Sequence, residues 1–196
     1  MEIIFVLIII SIVASQVLPK SQISKLNLAT QKIILYLNYT RYISHIDNKF
    51  NIEDDEWEKK RWTLKFLNCS SKYKGLYYNV YSDMHGGTGA YKKIDTLKDP
   101  LNNKHLYSFH CNENKKNDES KHVLLTKEYG IEKINVSCNT TSTIGQISFG
   151  YDGKIYSQLG SNIKEITKQC RIKLFDKDNN FTEIAIEPKT GYIHTI

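Results

Sequence analysis

Four cysteines set the strongest limit on how this chain folds. Cys69, Cys111, Cys138 and Cys170 are widely spaced, with no two within four residues of each other. A tetrahedral zinc site needs clustered ligands, and His110-Cys111 is the only close His–Cys pair. An even cysteine count in a chain bound for an oxidising compartment reads instead as two disulfides, with three ways to pair them. In a strand, Ile134, Val136 and Cys138 share one face, and so do Cys170, Ile172 and Leu174. Both sulfurs then enter one core. That favours Cys138–Cys170 and leaves Cys69–Cys111, although spacing alone leaves the other pairings open.

The N-terminus agrees with that compartment. Residues 1–15, MEIIFVLIIISIVAS, hold an apolar run from Ile3 to Val13, and Val13-Ala14-Ser15 supplies the small residues of a cleavage site. The run is too short for a bilayer, which takes about 20 residues, but suits a signal peptide. It departs from the usual pattern in carrying Glu2 and no base ahead of it. The expected organisation is a signal peptide over 1–15 and one secreted α+β domain over 16–196, without a membrane span or lipid anchor. Five acceptor sequons fit this route, at Asn38, Asn68, Asn135, Asn139 and Asn180. Asn135 falls on the polar face of its strand and Asn180 in a turn-like run. The middle residue of the Asn68 sequon is the bridge-forming Cys69.

Charge narrows the function classes. Lys and Arg number 27 against 21 Asp and Glu, and the expected leader removes only Glu2. The bases are scattered in mixed clusters such as Glu58-Lys59-Lys60-Arg61. A nucleic-acid footprint would gather them on one face between aromatics. Diffuse basicity favours solubility and some attraction to acidic cell-surface polymers.

Patterning predicts one principal helix packed on a curved antiparallel sheet. Over Ser24–Ile46, Leu26, Ala29, Ile33 and Leu37 form a stripe, with Gln31, Asn38 and His45 opposite. Glu53–Lys60 reads as a charged loop. Strands are expected over Arg61–Leu67, Leu76–Ser82, His105–Cys111, Ile131–Cys138 and Ile144–Tyr151. The last of these turns at Asp152-Gly153 into Lys154–Tyr156. Ser161–Gln169 reads as a short second helix capped by Ser161, and Arg171–Phe175 with Phe181–Glu187 as a closing hairpin. Residues 112–121, polar throughout, read as a flexible loop.

Chemistry-bearing patterns are incomplete. His85-Gly86-Gly87 resembles a glycine-rich oxyanion loop, but Gly145-Gln146-Ile147-Ser148-Phe149-Gly150 misses the nucleophile elbow by one position. No Gly-Lys-Ser/Thr follows Gly87-Thr88-Gly89, so no phosphate loop forms. His105 and His110, on one strand, would point to opposite faces, which separates an acid–base pair. The run Glu53-Asp54-Asp55-Glu56 lacks the glycine and spacing of a calcium loop and reads as a solvated face. No catalytic residue, metal or cofactor is assigned. Tyr73, Tyr77, Tyr78, Tyr81 and Tyr91 cluster around the glycine loop. Of these, Tyr77, Tyr81 and Tyr91, with His85, are the expected binding surface, because tyrosines offer large contact area at low entropic cost.

Leu28–Asn38 resembles the helix of the cystatin-like superfamily, whose two-lobed members include the latexin type of carboxypeptidase inhibitor. Gln146-Ile147-Ser148-Phe149-Gly150 is similar to its inhibitory Q-x-V-x-G loop, with Ser148 in place of valine and a much longer separation from the helix. The resemblance implies a helix wrapped by a curved sheet and, as function, occupation of another protein. The expectation is therefore a secreted, disulfide-bonded glycoprotein that binds an extracellular protein without performing chemistry. The alternative is a small secreted hydrolase or nuclease using His85 with His105 or His110.

Overall fold

A computed structural model describes residues 24–47, 49–84, 90–112, 117–161 and 164–196. The expected signal peptide over 1–15 lies outside them, as do His85 and its glycines.

Helix α1 spans Lys25–Ile46. Ser24 caps it, its hydroxyl accepting from Asn27 N–H at 3.2 Å, which satisfies one of the free first-turn donors. The helix buries Ala29, Ile33, Tyr36 and Leu37, and carries Thr30, Thr40 and Ser44 on the same face. Those hydroxyls enter the interior because each finds a carbonyl: Thr30 donates to Leu26 O and Thr40 to Tyr36 O.

The fold is α+β, and its strands form two antiparallel sheets rather than one. The first has the order β2-β1-β4-β5, built from Trp62–Asn68 (β1), Leu76–Ser82 (β2), Gly145–Phe149 (β4) and Ile155–Tyr156 (β5). The second has the order β3-β6-β7-β8, from Ile131–Val136 (β3), Cys170–Asp176 (β6), Phe181–Ile186 (β7) and Ile193–Thr195 (β8). Helix α1 touches β1 and β4 of one sheet and β6, β7 and β8 of the other. One hydrophobic cluster joins all three, from Ile33, Tyr36 and Leu37 through Leu64, Phe66 and Ile147 to Ile172, Leu174 and Ile184. Where the sheets meet, a Cβ on Gly145 (φ +145°) would lie 2.7 Å from a Val136 methyl carbon, so only glycine fits there. The short helix α2, Leu125–Tyr129, ends at Gly130 in the left-handed region and leads into β3.

The disulfides are Cys138–Cys170, as the strand faces suggest, and Cys69–Cys111, the pairing that this leaves. Cys170 pairs with Ile186 across β6 and β7, and its side chain is wholly buried.

Four expectations are corrected. His105–Cys111 is not a strand: His105 makes only isolated bridges, and His110 and Cys111 both take positive φ, 56° and 62°. The expected helix over Ser161–Gln169 does not run on past Lys164, which is in a 3-10 turn; Glu165 bridges Tyr156 and Ile166 N–H donates to Ile155 O. The β4–β5 turn takes five residues, 150–154, closed by Gly150 N–H on Lys154 O. Of the expected flexible loop 112–121, residues 117–121 are tied down: Asp118 and Glu119 pair with Lys93 at 2.5 and 3.3 Å, and Ser120 caps a 3-10 turn over Lys121–Val123.

Candidate functional site

The C-terminal end of α1 and two turns build an exposed aromatic ledge. The helix stops where Asp47 N–H closes on Ile43 O, and the Asp47 carboxylate then accepts from Trp62 Nε1–H at 2.6 Å. This pins the following loop against the start of β1. In that loop, Asp54 N–H donates to Asn51 O and Trp57 N–H to Asp54 O, and a 3-10 turn runs over Trp57–Lys59. An ion pair between Lys60 and Asp54 ties the loop, and holds the Asp54 carboxyl below its ordinary range. Opposite, the β4–β5 turn raises Tyr151. The turn is held to α1 by Ser44 Oγ on Gly150 O at 3.4 Å and by His45 Nδ1–H on Tyr151 O at 3.2 Å.

The three rings meet there. Trp57 lies between Phe50, edge-on at 5.3 Å between centroids, and Tyr151, tilted at 4.7 Å. Such pairs contribute about 1 kcal/mol each beyond burial. Phe50 remains 60% exposed and Tyr151 52%. A residue already ordered by its neighbours loses little freedom when a partner covers it, so a packed but uncovered cluster is suited to binding. The sequence treats 53–60 only as a charged loop. Phe50 just before that loop and Trp57 within it are the available signal.

Beside the ledge opens a polar pocket of about 250 Å³, lined by Glu58, Arg61, Tyr151, Asp152, Lys154 and Glu165, among others. The Arg61 guanidinium forms its floor, stacked 3.4 Å from the centre of the Tyr156 ring, with NH1 donating to Ser161 O. Burial pushes this guanidinium below its ordinary pKa, opposed by the charges of Asp152, Glu58 and Glu165.

The expected tyrosine surface is interior. Tyr77 is 3% exposed and Tyr81 0%, and Tyr91 is half-buried. Tyr81 stacks on Tyr91 at 3.6 Å and 12°, and Asn79 Nδ2 donates to Tyr91 Oη at 2.7 Å. The physical reason is that irregular chain covers what strand alternation leaves open. Val80 N–H donates to Leu106 O and accepts at its carbonyl from Leu97 N–H, so residues 96–106 seal the outer edge of β2. Burial raises the phenols of Tyr81 and Tyr91 far above their ordinary range. His85 lies outside the described residues.

The described histidines named for the enzymatic alternative are not brought together. The Thr96 hydroxyl donates to Lys93 O, so His105 Nδ1–H donates to Thr96 Oγ1, at 3.0 Å. Burial, then Lys93 and Lys98, push the His105 imidazole below its ordinary pKa. His110 is exposed and stacks edge-on against Phe109. Sequence reasoning missed a different histidine. His122 Nδ1 lies 2.8 Å from Asp99 Oδ2, which also accepts from Ser120 Oγ at 2.6 Å and Tyr36 Oη at 2.9 Å. Ser120 spends its proton on the carboxylate rather than on the imidazole, so this is a structural network and not a nucleophile with its base. No group of three potential metal ligands occurs among the described residues, and no described helix is long and apolar enough to cross a membrane.

The sequon asparagines differ in setting. Asn38, Asn68, Asn135 and Asn180 are exposed. Asn139 is half-buried and donates from Nδ2 to both Thr141 O and Thr143 O, at 3.2 and 2.5 Å. Gln146–Phe149, the residues similar to a cystatin inhibitory loop, are buried in β4 between β1 and β5. No family model matches the sequence, and no curated protein or solved structure matches it either.

Proposed function

We propose that this chain is a secreted, disulfide-bonded glycoprotein that acts by binding another extracellular protein, through the Phe50–Trp57–Tyr151 ledge. The observation that carries the reading is the ledge itself: three aromatic rings ordered by one another, with Phe50 and Tyr151 largely facing water on either side of a half-buried Trp57. Surfaces of this kind supply the buried anchors of protein interfaces, where Trp and Tyr are enriched. The two disulfides support passage through an oxidising compartment. The four exposed sequon asparagines are placed where a glycan meets no packed surface. Net positive charge adds a salt-sensitive attraction to acidic cell-surface polymers.

The test is expression of the full chain in a secretory cell line. The expected result is bridged, glycosylated protein in the medium that retains one stoichiometric partner from extracellular fluid, with Trp57→Ala losing it. Retention in the cytosol with reduced thiols overturns the compartment. Partner binding indifferent to Trp57→Ala overturns the surface.

A further inference from the structure

The partner's chemistry is written in the charge around the ledge. Residues 47–60 hold six acids and three bases, in a chain whose totals are 21 and 27. The region is thus a negative patch on a positive protein. Within it, Lys60 pairs with Asp54, Lys59 with Glu56 and Lys49 with Asp47. Glu53, Asp55 and Glu58 are exposed and form no ion pair among the described residues. The neighbouring pocket repeats the imbalance. Its carboxylates, Glu58, Asp152 and Glu165, face two cations, Arg61 and Lys154. Lys154 reaches Asp152 and Glu165 only at 3.6 and 3.5 Å and is itself half exposed, so these pairs are weak and leave the carboxylates able to take a second cation. Arg61 is spent on its stack with Tyr156 and on Ser161 O, and the surrounding carboxylates repel an incoming anion.

We infer that the ledge and pocket together take a cationic segment of a partner protein, one in which Lys or Arg alternates with an apolar residue. The basic side chain lies along the exposed face of Tyr151, its charge reaching Glu58 and Asp152 at the pocket mouth. Aromatic faces attract such cations, and the aliphatic stem covers apolar surface. The apolar neighbour covers Phe50 and Trp57. The electrostatic part speeds and orients encounter, while the rings hold the complex. This inference rests on the binding reading above and specifies the occupant of the same surface.

The probe is a short fluorescent peptide alternating lysine and leucine, with a glutamate–leucine peptide and a serine–leucine peptide as controls, titrated into the full secreted protein. The lysine peptide is expected to bind at least tenfold more tightly than either control, and to weaken steeply with added salt. Trp57→Ala and, separately, Glu53→Lys/Asp55→Lys should each weaken it at least fivefold. The second variant alters only exposed side chains, so it keeps the test intact if the first unfolds. Equal affinity for the glutamate peptide, no binding of the lysine peptide, or indifference to Glu53→Lys/Asp55→Lys overturns the inference. Self-association abolished by Glu53→Lys/Asp55→Lys without peptide binding assigns the face to a second copy and likewise overturns it. If the captured extracellular partner is lost with Trp57→Ala but presents an acidic segment, the binding reading stands and only the cationic partner falls.

Discussion

The phenol of Tyr36 donates to Asp99 Oδ2 at 2.9 Å, joining the middle of the helix to a loop 63 residues away in sequence. Both side chains are fully buried, and Asp99 collects further bonds from Ser120, His122 and the Leu101 N–H. Tyr36 also packs on Tyr78, whose hydroxyl donates to His122 O at 3.0 Å. One carboxylate therefore gathers the helix, β2 and the segment before α2.

Removing that acceptor takes a partner from four donors, two of which, Tyr36 and Ser120, lie in the interior. Asp99→Ala is expected to cost about 3 kcal/mol, and Tyr36→Phe, which keeps the ring, about 1.5 kcal/mol. Because they share one bond, the double variant should cost less than the sum. Urea unfolding of the four proteins checks this, and strict additivity would show that the bond contributes nothing.

The same carboxylate makes the fold acid-sensitive. Burial alone would raise its pKa, but the bonds from Ser120, Leu101 N–H, His122 and Tyr36 outweigh burial and hold it below the ordinary range. A group lowered in the folded state contributes stability above its unfolded pKa, about 3.9, and loses it as pH falls through the folded value. Stability measured from pH 6 downwards should fall more steeply in wild type than in Asp99→Asn over that acid window. Parallel curves would remove Asp99 as the cause.

Much of this architecture is legible in the residues, and the exceptions share a cause. Helix α1 is readable because Ala29, Ile33 and Leu37 recur at helical spacing and Ser24 can cap. The pairing Cys138–Cys170 is readable because each sulfur continues an apolar strand face. The fate of Tyr77 and Tyr81 is not. Alternation tells which side chains share a face, but not that Tyr91 and Ser108 of the irregular chain after β2 will cover the second one, since an irregular cover has no period. Cys111 reaches Cys69 through two consecutive left-handed residues, a conformation that His110-Cys111 does not announce. The ledge is hidden for a third reason. Phe50 and Trp57 sit in one loop and Tyr151 in a distant turn, and nothing local relates them.

The two bridges differ in what they protect. Each closes a loop, with sequence separations of 42 and 32, and loop entropy gives about 4 kcal/mol for either. Each bridge joins a buried cysteine to a half-buried one, but Cys170 belongs to the central hydrophobic cluster and Cys138 packs against it, whereas Cys69 and Cys111 lie outside that cluster. Cys138→Ala/Cys170→Ala should therefore lose more than Cys69→Ala/Cys111→Ala, by about 1 kcal/mol for the vacated core volume. Denaturant midpoints decide the order, and the reverse ranking would contradict it.

Sequon use should follow the amide hydrogens. Asn38 and Asn180 each spend one Nδ2 hydrogen, on Ile34 O and Asp176 Oδ2, and keep one for a glycan. Asn139 spends both inside the loop between Cys138 and β4. Glycopeptide mapping of secreted protein is expected to find sugar at Asn38, Asn135 and Asn180 and none at Asn139. Full occupancy of Asn139 on folded protein would falsify this.

Helix α1 lies upstream of both covalent rings, since Cys69 is the first residue of either. A single cut in the connector 49–60 would thus separate the chain into an untethered helical peptide and a doubly cross-linked shell. The shell would keep both sheets around an empty trough lined by Leu64, Phe66 and Ile184, with Asp99 waiting at its wall. The protein is in this sense already a plug and a socket, and adding the peptide back in trans should restore the whole.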